Sequence, residues 1–174
     1  DKSVDIWTLW HKNAEQIARD EGLDNQLAEI FCTLLKFISN YNWMGACHGT
    51  SAILYVIFRE LGYETKLCTG VISAGFWMSG HSWVELDGKV YDVSCYFPTT
   101  EIAQMMPVFH GRELDVMRDT ATQYGVSDAP HAKDVEMVMS ATVSQVMAAD
   151  HEELGNANLW QVLASVCMEA KVPI

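Results

Sequence analysis

The sequence predicts an α+β fold: a central apolar helix packed on an antiparallel sheet, with further helices at the N- and C-terminal ends. Three observations lead there. Apolar residues recur at helical spacing in the first and last thirds of the chain, the pattern switches to strand-like alternation from Thr65, and Asp87-Gly88 separates two strand-like runs as a two-residue hairpin turn.

Taken in order, Trp7, Trp10, Ala14 and Ile17 trace a first amphipathic helix, and Leu27, Ile30, Phe31, Leu34, Leu35 and Ile38 a second, with Gly22 and Asp24 between them. Asn40 to Gly45 reads as a turn. The run Ala52 to Phe58 is apolar on nearly every side, so the third helix is expected at the centre of the domain, closed by Leu61-Gly62. Strands are expected at Thr65 to Ile72, Ser82 to Leu86 and Lys89 to Val93, with Gly75 to Gly80 as a connection carrying large apolar side chains. Thr100 to Met106 reads as a short helix, and the rest of Pro98 to Pro130 as mostly loop. Val135, Val138, Met139, Thr142, Val143, Val146 and Met147 form one helical stripe, and Leu159, Val162, Leu163, Val166 and Cys167 another, opened by Asn158 as N-cap.

The chain has 174 residues, 49% of them hydrophobic, which is enough apolar surface to offset the entropy of folding one domain. A single domain over 1–174 is expected, with its core at about 43–98 and helical flanks at 1–42 and 99–174. Lys and Arg number 11 against 23 Asp and Glu, a formal net charge of -12, which repels phosphate backbones and anionic lipid headgroups. Nucleic acid and membranes are therefore not expected partners. The 5 cysteines, Cys32, Cys47, Cys68, Cys95 and Cys167, are odd in number and lack a CxxC pair, so neither a disulfide framework nor a zinc ribbon is indicated. A reducing, cytoplasmic setting and a soluble chain are the expectation. The first residue is Asp1 rather than Met, which suggests a truncated or a processed end that could have removed a targeting segment.

Chemistry concentrates in Gly45-Ala-Cys47-His-Gly, Gly80-His81-Ser-Trp83 and Tyr91-Asp92. A thiol at a helix start gains from the helix dipole and from a neighbouring imidazolium, both of which favour the nucleophilic thiolate. Gly45 and Gly49 leave room for a substrate backbone. The Cys47 amide lies in the first turn, without an intrahelical acceptor, and can donate to an oxyanion; Asn42 and the Trp43 indole are candidates for a second donor. The two-residue turn pairs Leu86 with Lys89, Glu85 with Val90, Val84 with Tyr91 and Trp83 with Asp92. Side chains alternate along strands, so His81 and Asp92 share a face as diagonal neighbours. Glu85 lies on that face too but nearer the turn. His48 is the poorer base, because adjacent helical residues do not face each other. Phe76, Trp77 and Trp83 are candidates for a substrate wall.

In order and spacing these motifs resemble the transglutaminase-like superfamily of papain-type cysteine enzymes: Gly45-Ala-Cys47 heading a helix, Glu60-Leu-Gly62-Tyr, Leu67-Cys-Thr-Gly70, His81-Ser-Trp83-Val-Glu85 and Tyr91-Asp92. The resemblance covers about a third of the chain, from near Trp43 to near Pro98. Lys66, Val90-Tyr91 and Val93 stand where that family often has Arg, Trp and Pro. The resemblance implies a papain/transglutaminase-like core, with Cys47 as nucleophile, His81 as base and acid, and Asp92 as its orienter.

The expected function is hydrolysis of a peptide or amide bond through a thioester acyl-enzyme, a chemistry that calls for no cofactor. Passage of the acyl group to an amine, as in a transglutaminase, is the alternative. A chain this small has less room for a second substrate, which favours water. A non-catalytic interaction module on the same fold is a further alternative. A metal site built from Cys47, His48, His81 and Cys95 lacks the usual zinc spacing.

Overall fold

The computed structural model describes residues 5–43, 46–94, 106–126 and 133–174. It is a mixed helical and sheet structure with a curled antiparallel sheet. Helices α1 (Ile6–Asp20) and α2 (Asn25–Asn40) form an antiparallel pair. Asp24 starts α2 by accepting the Gln26 amide at 2.9 Å. The predicted stripes, Trp10, Ala14 and Ile17 on α1 and Leu27 to Ile38 on α2, are buried. Helix α3 (Cys47–Glu60) is buried at eight of its fourteen positions, consistent with its apolar surroundings. It ends where the Tyr63 amide reaches back to the Phe58 carbonyl at 2.9 Å across Gly62, whose φ of +89° a side chain would resist.

Strands β1 (Thr65–Ala74) and β2 (Trp77–Leu86) pair over ten positions, from Thr65 with Leu86 to Ala74 with Trp77. Residues 77–80, expected to form part of a connection, therefore belong to β2. The turn is Gly75-Phe76 alone, with Gly75 at φ +63° supplying the backbone a tight hairpin needs, and ladder pairing then carries Trp77 to Gly80 into the strand. Asp87 and Gly88, both at positive φ, form the expected two-residue turn to β3 (Lys89–Tyr91). Three of the four expected pairs form; the fourth does not. At Asp92 the chain splays from β2 and exchanges hydrogen bonds with Val108, at 2.8 and 3.0 Å.

Residues 106–126 hold more than loop: β4 (Val108–Phe109) and β5 (Arg112–Glu113) form a hairpin, and β6 (Gln123–Tyr124) joins β1, giving the sheet order β3-β2-β1-β6. Residues 100–105 of the expected short helix lie outside the described residues, and Met106 is not helical. The C-terminal stripe is also divided, into α4 (Lys133–Ser140) and α5 (Val143–Ala148). Thr142 and Gln145 make a reciprocal capping box, so Thr142 leaves helical conformation and begins a new helix although the apolar spacing runs through it. Strands β7 (Asp150–His151) and β8 (Ala157–Asn158) then lead to α6 (Leu159–Ala170), which Asn158 caps as expected.

One sheet face, through Val84, Leu86 and Tyr91, joins the helices in the main core; the other gathers Ile72, Trp83 and Val108 with Tyr124. At the heart of the main core Phe31, Phe58, Tyr91 and Phe109 meet edge to face at centroid distances of 5.0 to 5.5 Å. Phe31→Ala is expected to cost about 3–5 kcal/mol, because the cavity it leaves is walled by rigid rings. Urea unfolding measures this, and a loss below about 1 kcal/mol would mean the core collapses around the gap. Among the described residues no helix is long and apolar enough to cross a membrane.

Candidate active site

Cys47 is the first residue of α3, and Ala46 before it offers no side-chain cap. The Thr50 amide bonds to the Ala46 carbonyl at 2.8 Å, so intrahelical bonding begins there and the amides of Cys47, His48 and Gly49 have no intrahelical acceptor. The helix head therefore presents amides that have no partner within the helix, and the positive end of a dipole, at the thiol.

His81 and Asp92 meet across the splay of β2 and β3, with Nε2 2.6 Å from Oδ2. Both are buried, at 6% and 1% exposure. Because the β2–β3 ladder stops at Val84 and Tyr91, it is the side chains, not the backbones, that span this opening. Asp92 Oδ2 also accepts from the Tyr124 hydroxyl at 2.9 Å, and Oδ1 accepts from the Ser94 amide and hydroxyl at 3.1 and 2.9 Å. With Nε2 committed to Asp92, Nδ1 of His81 is the ring nitrogen left for the hydrogen bond with Cys47.

The electrostatics follow. Burial would raise the Cys47 thiol, but hydrogen bonds from His48 and His81 and the positive charge of His81 outweigh it and bring it down to about 6. Burial would lower His81, but the Asp92 carboxylate and the Cys47 thiolate raise it to about 10. Burial would likewise raise Asp92, and the His81 charge and the hydrogen bonds it accepts hold it below the ordinary carboxylate range. A thiolate–imidazolium pair is thus the neutral-pH form of the site. Burial pushes the other described thiols up instead: Cys32, Cys167, and Cys68 to about 11.

His48 is closer to the chemistry than its neighbouring position suggested. In the first turn no preceding helical residue crowds its ring, which swings toward β2 and bonds Ser82 Oγ through Nδ1 at 2.6 Å while also contacting the Cys47 side chain. Ser82 Oγ in turn lies 2.8 Å from Thr69 Oγ. Glu85 instead accepts the Trp83 indole N–H at 3.1 Å. Asn42 is exposed in the turn after α2, at φ +48°. Trp43 is buried against His151 and over Gly49, where an added Cβ would lie 2.9 Å from the indole. The space at Gly49 thus serves packing, not substrate approach, while Gly45 lies outside the described residues. Phe76 is fully exposed at the β1–β2 turn, Trp77 is half-buried, and Trp83 is buried beside Tyr124 at a centroid distance of 5.1 Å.

Cys95, the fourth residue of the alternative metal site, is outside the described residues. Among those described, the group of possible ligand atoms that converges is His11, Glu15 and Glu29, not Cys47, His48 and His81. Tyr124 had no signal in the sequence, since a two-residue strand leaves no periodicity. Searches of family models, curated proteins and solved structures give no match to the chain.

Proposed function

We propose that the chain is a cysteine hydrolase of the transglutaminase-like, papain-type kind, cleaving an amide or peptide bond through a thioester on Cys47. The observation that carries this reading is the thiol at an uncapped helix head, hydrogen-bonded to an imidazole that a buried carboxylate holds from behind. Each group has a role that its surroundings suit. The Cys47 thiolate attacks the carbonyl carbon, and the oxyanion that forms meets the first-turn amides, starting with that of Cys47. His81 gives its proton to the departing amine as the C–N bond breaks, leaving the acyl group on Sγ. A water then attacks the thioester, His81 takes its proton, and the carboxylic acid departs as the thiolate returns. Asp92 keeps the ring oriented and stabilises its positive charge throughout.

A peptide-amide library incubated with the protein tests this, with and without a primary amine. Hydrolysis products are expected from the wild type, with none from Cys47→Ala, and an acyl group on Cys47 is expected in the intact mass at short times. Amine-dependent product without hydrolysis would replace hydrolase by acyltransferase. Identical behaviour of wild type and Cys47→Ala would make the fold a non-catalytic module.

A further inference from the structure

Beside the thiol lies a cavity of about 640 Å³ that the mechanism above leaves unused, within the size range of pockets that enclose small ligands. His48 and Ser82 form its polar end, and since His48 touches Cys47, the cavity begins one side chain from the nucleophile. Away from that end Leu67 of β1 with Val138, Val143 and Val146 of α4 and α5 make an aliphatic face, beside a more polar strip of Thr65, Lys66, Cys68 and Tyr55.

The polar end is already satisfied. A thiolate at Cys47 needs a donor, so the His48 ring donates from Nε2 and accepts at Nδ1 from the Ser82 hydroxyl, whose oxygen accepts from Thr69. This chain spends these three donors internally. Lys66 at the edge stands opposite Glu85 in the β1–β2 ladder, so it is no unopposed charge either. The apolar wall is also fixed in place. Val135 of α4 sits so close to Gly80, the residue before His81, that a Cβ there would come within 2.0 Å of its methyl group. Only glycine at 80 lets α4 dock on the strand that carries the imidazole, and the next turn of α4 then lines the cavity.

We infer that this cavity is the acyl-side specificity pocket: it takes the aliphatic or aromatic chain of the acyl half of the substrate, so that the enzyme selects amides of apolar acyl groups. The inference rests on the acyl-enzyme reading of Cys47. The occupant follows from position and lining together, since a chain reaching from a carbonyl at Sγ past His48 comes to the aliphatic face made by Leu67, Val138, Val143 and Val146.

p-Nitrophenyl esters of acetate, butyrate and hexanoate share a leaving group and differ only in the acyl chain. Cys47 Sγ bonds to the carbonyl carbon, the C–O bond breaks, and p-nitrophenolate leaves with the electron pair, so its release reads acylation while intact mass reads the acyl-enzyme. In the wild type the second-order acylation rate is expected to rise with chain length, by about tenfold or more from acetate to hexanoate. In Val146→Trp and Val143→Trp, each filling the cavity from a different position on α5, the hexanoate-to-acetate ratio is expected to fall toward one; a ratio is insensitive to any change in thiol reactivity. A flat wild-type series overturns the pocket even if both variants fail to fold, and so does a ratio that both folded variants retain. If acetate itself leaves no Cys47 adduct that Cys47→Ala abolishes, it is the acyl-enzyme reading that fails, a result distinct from a flat series.

Discussion

Asp92→Asn is expected to slow Cys47 acylation by about 10³- to 10⁴-fold, the scale seen when the carboxylate behind a catalytic imidazole is lost. The hydrogen bonds around Asp92 explain why so conservative a change should be so costly. Oδ2 accepts from both His81 and Tyr124, and Oδ1 accepts from both the amide and the hydroxyl of Ser94. An amide can replace only one of these oxygens. If its oxygen faces His81, its NH₂ meets the Ser94 amide donor; if the NH₂ faces His81, Nε2 must accept and its proton moves to Nδ1, the nitrogen that has to receive the thiol proton. In a site at 1% exposure no water relieves either conflict. Rates with p-nitrophenyl acetate measure the effect. A loss of less than about tenfold would mean that His81 does not depend on Asp92 for its orientation.

Cys47 is expected to react with iodoacetamide through a midpoint near pH 6, while Cys68, pushed up to about 11, stays unlabelled near neutrality. His48→Ala and His81→Ala should each move the Cys47 midpoint upward, since each removes a hydrogen bond that favours the thiolate, and His81→Ala a charge as well. Peptide mapping across pH reads this directly; a wild-type midpoint at the ordinary thiol value, about 8.5, would remove the activated nucleophile. The same pair shapes the stability of the fold. In the unfolded chain between about pH 6.5 and 8.5 the thiol holds its proton and the imidazole is neutral. In the folded chain the proton sits on His81. Folding therefore moves one proton between the two groups and exchanges none with solvent, so their contribution does not vary with pH there. Above about 8.5 the unfolded thiol has lost its proton while folded His81 keeps one up to about 10, and stability falls as pH rises through that range. On the acid side, the lowered Asp92 contributes stability that is present above about 3.9 and lost as pH falls through its lower folded value. Comparing urea midpoints of the wild type and Cys47→Ala checks the neutral cancellation: the variant should already weaken above about pH 6.5, where the wild type is flat.

Much of this site is local in origin, and that part is legible in the sequence. Cys47 heads a helix because an apolar run begins just after it, and the two-residue turn and strand alternation bring His81 and Asp92 near each other, although the ladder stops before Asp92 and their side chains close the gap. The same reasoning failed where a hydrogen bond overrode apolar spacing. Thr142 ends one helix and caps the next, and the β1–β2 ladder absorbs Trp77 to Gly80 into a strand. Tyr124 escaped notice because its strand has two residues and exists only as an addition to β1.

The sequence by itself determined the α+β class and the order of elements from α1 to β3, the buried stripes of α1, α2 and α6, and the proximity of imidazole and carboxylate, all set by periodicities and turns within a few residues of one another. Only the tertiary structure decided that His48 leans on Ser82 and reaches the thiol, that Trp43 occupies the space over Gly49, and that α4 docks on Gly80 to wall a cavity. The first and last of these join segments tens of residues apart and the Trp43 contact spans a turn, and in each close packing, not local propensity, settles which side chains meet.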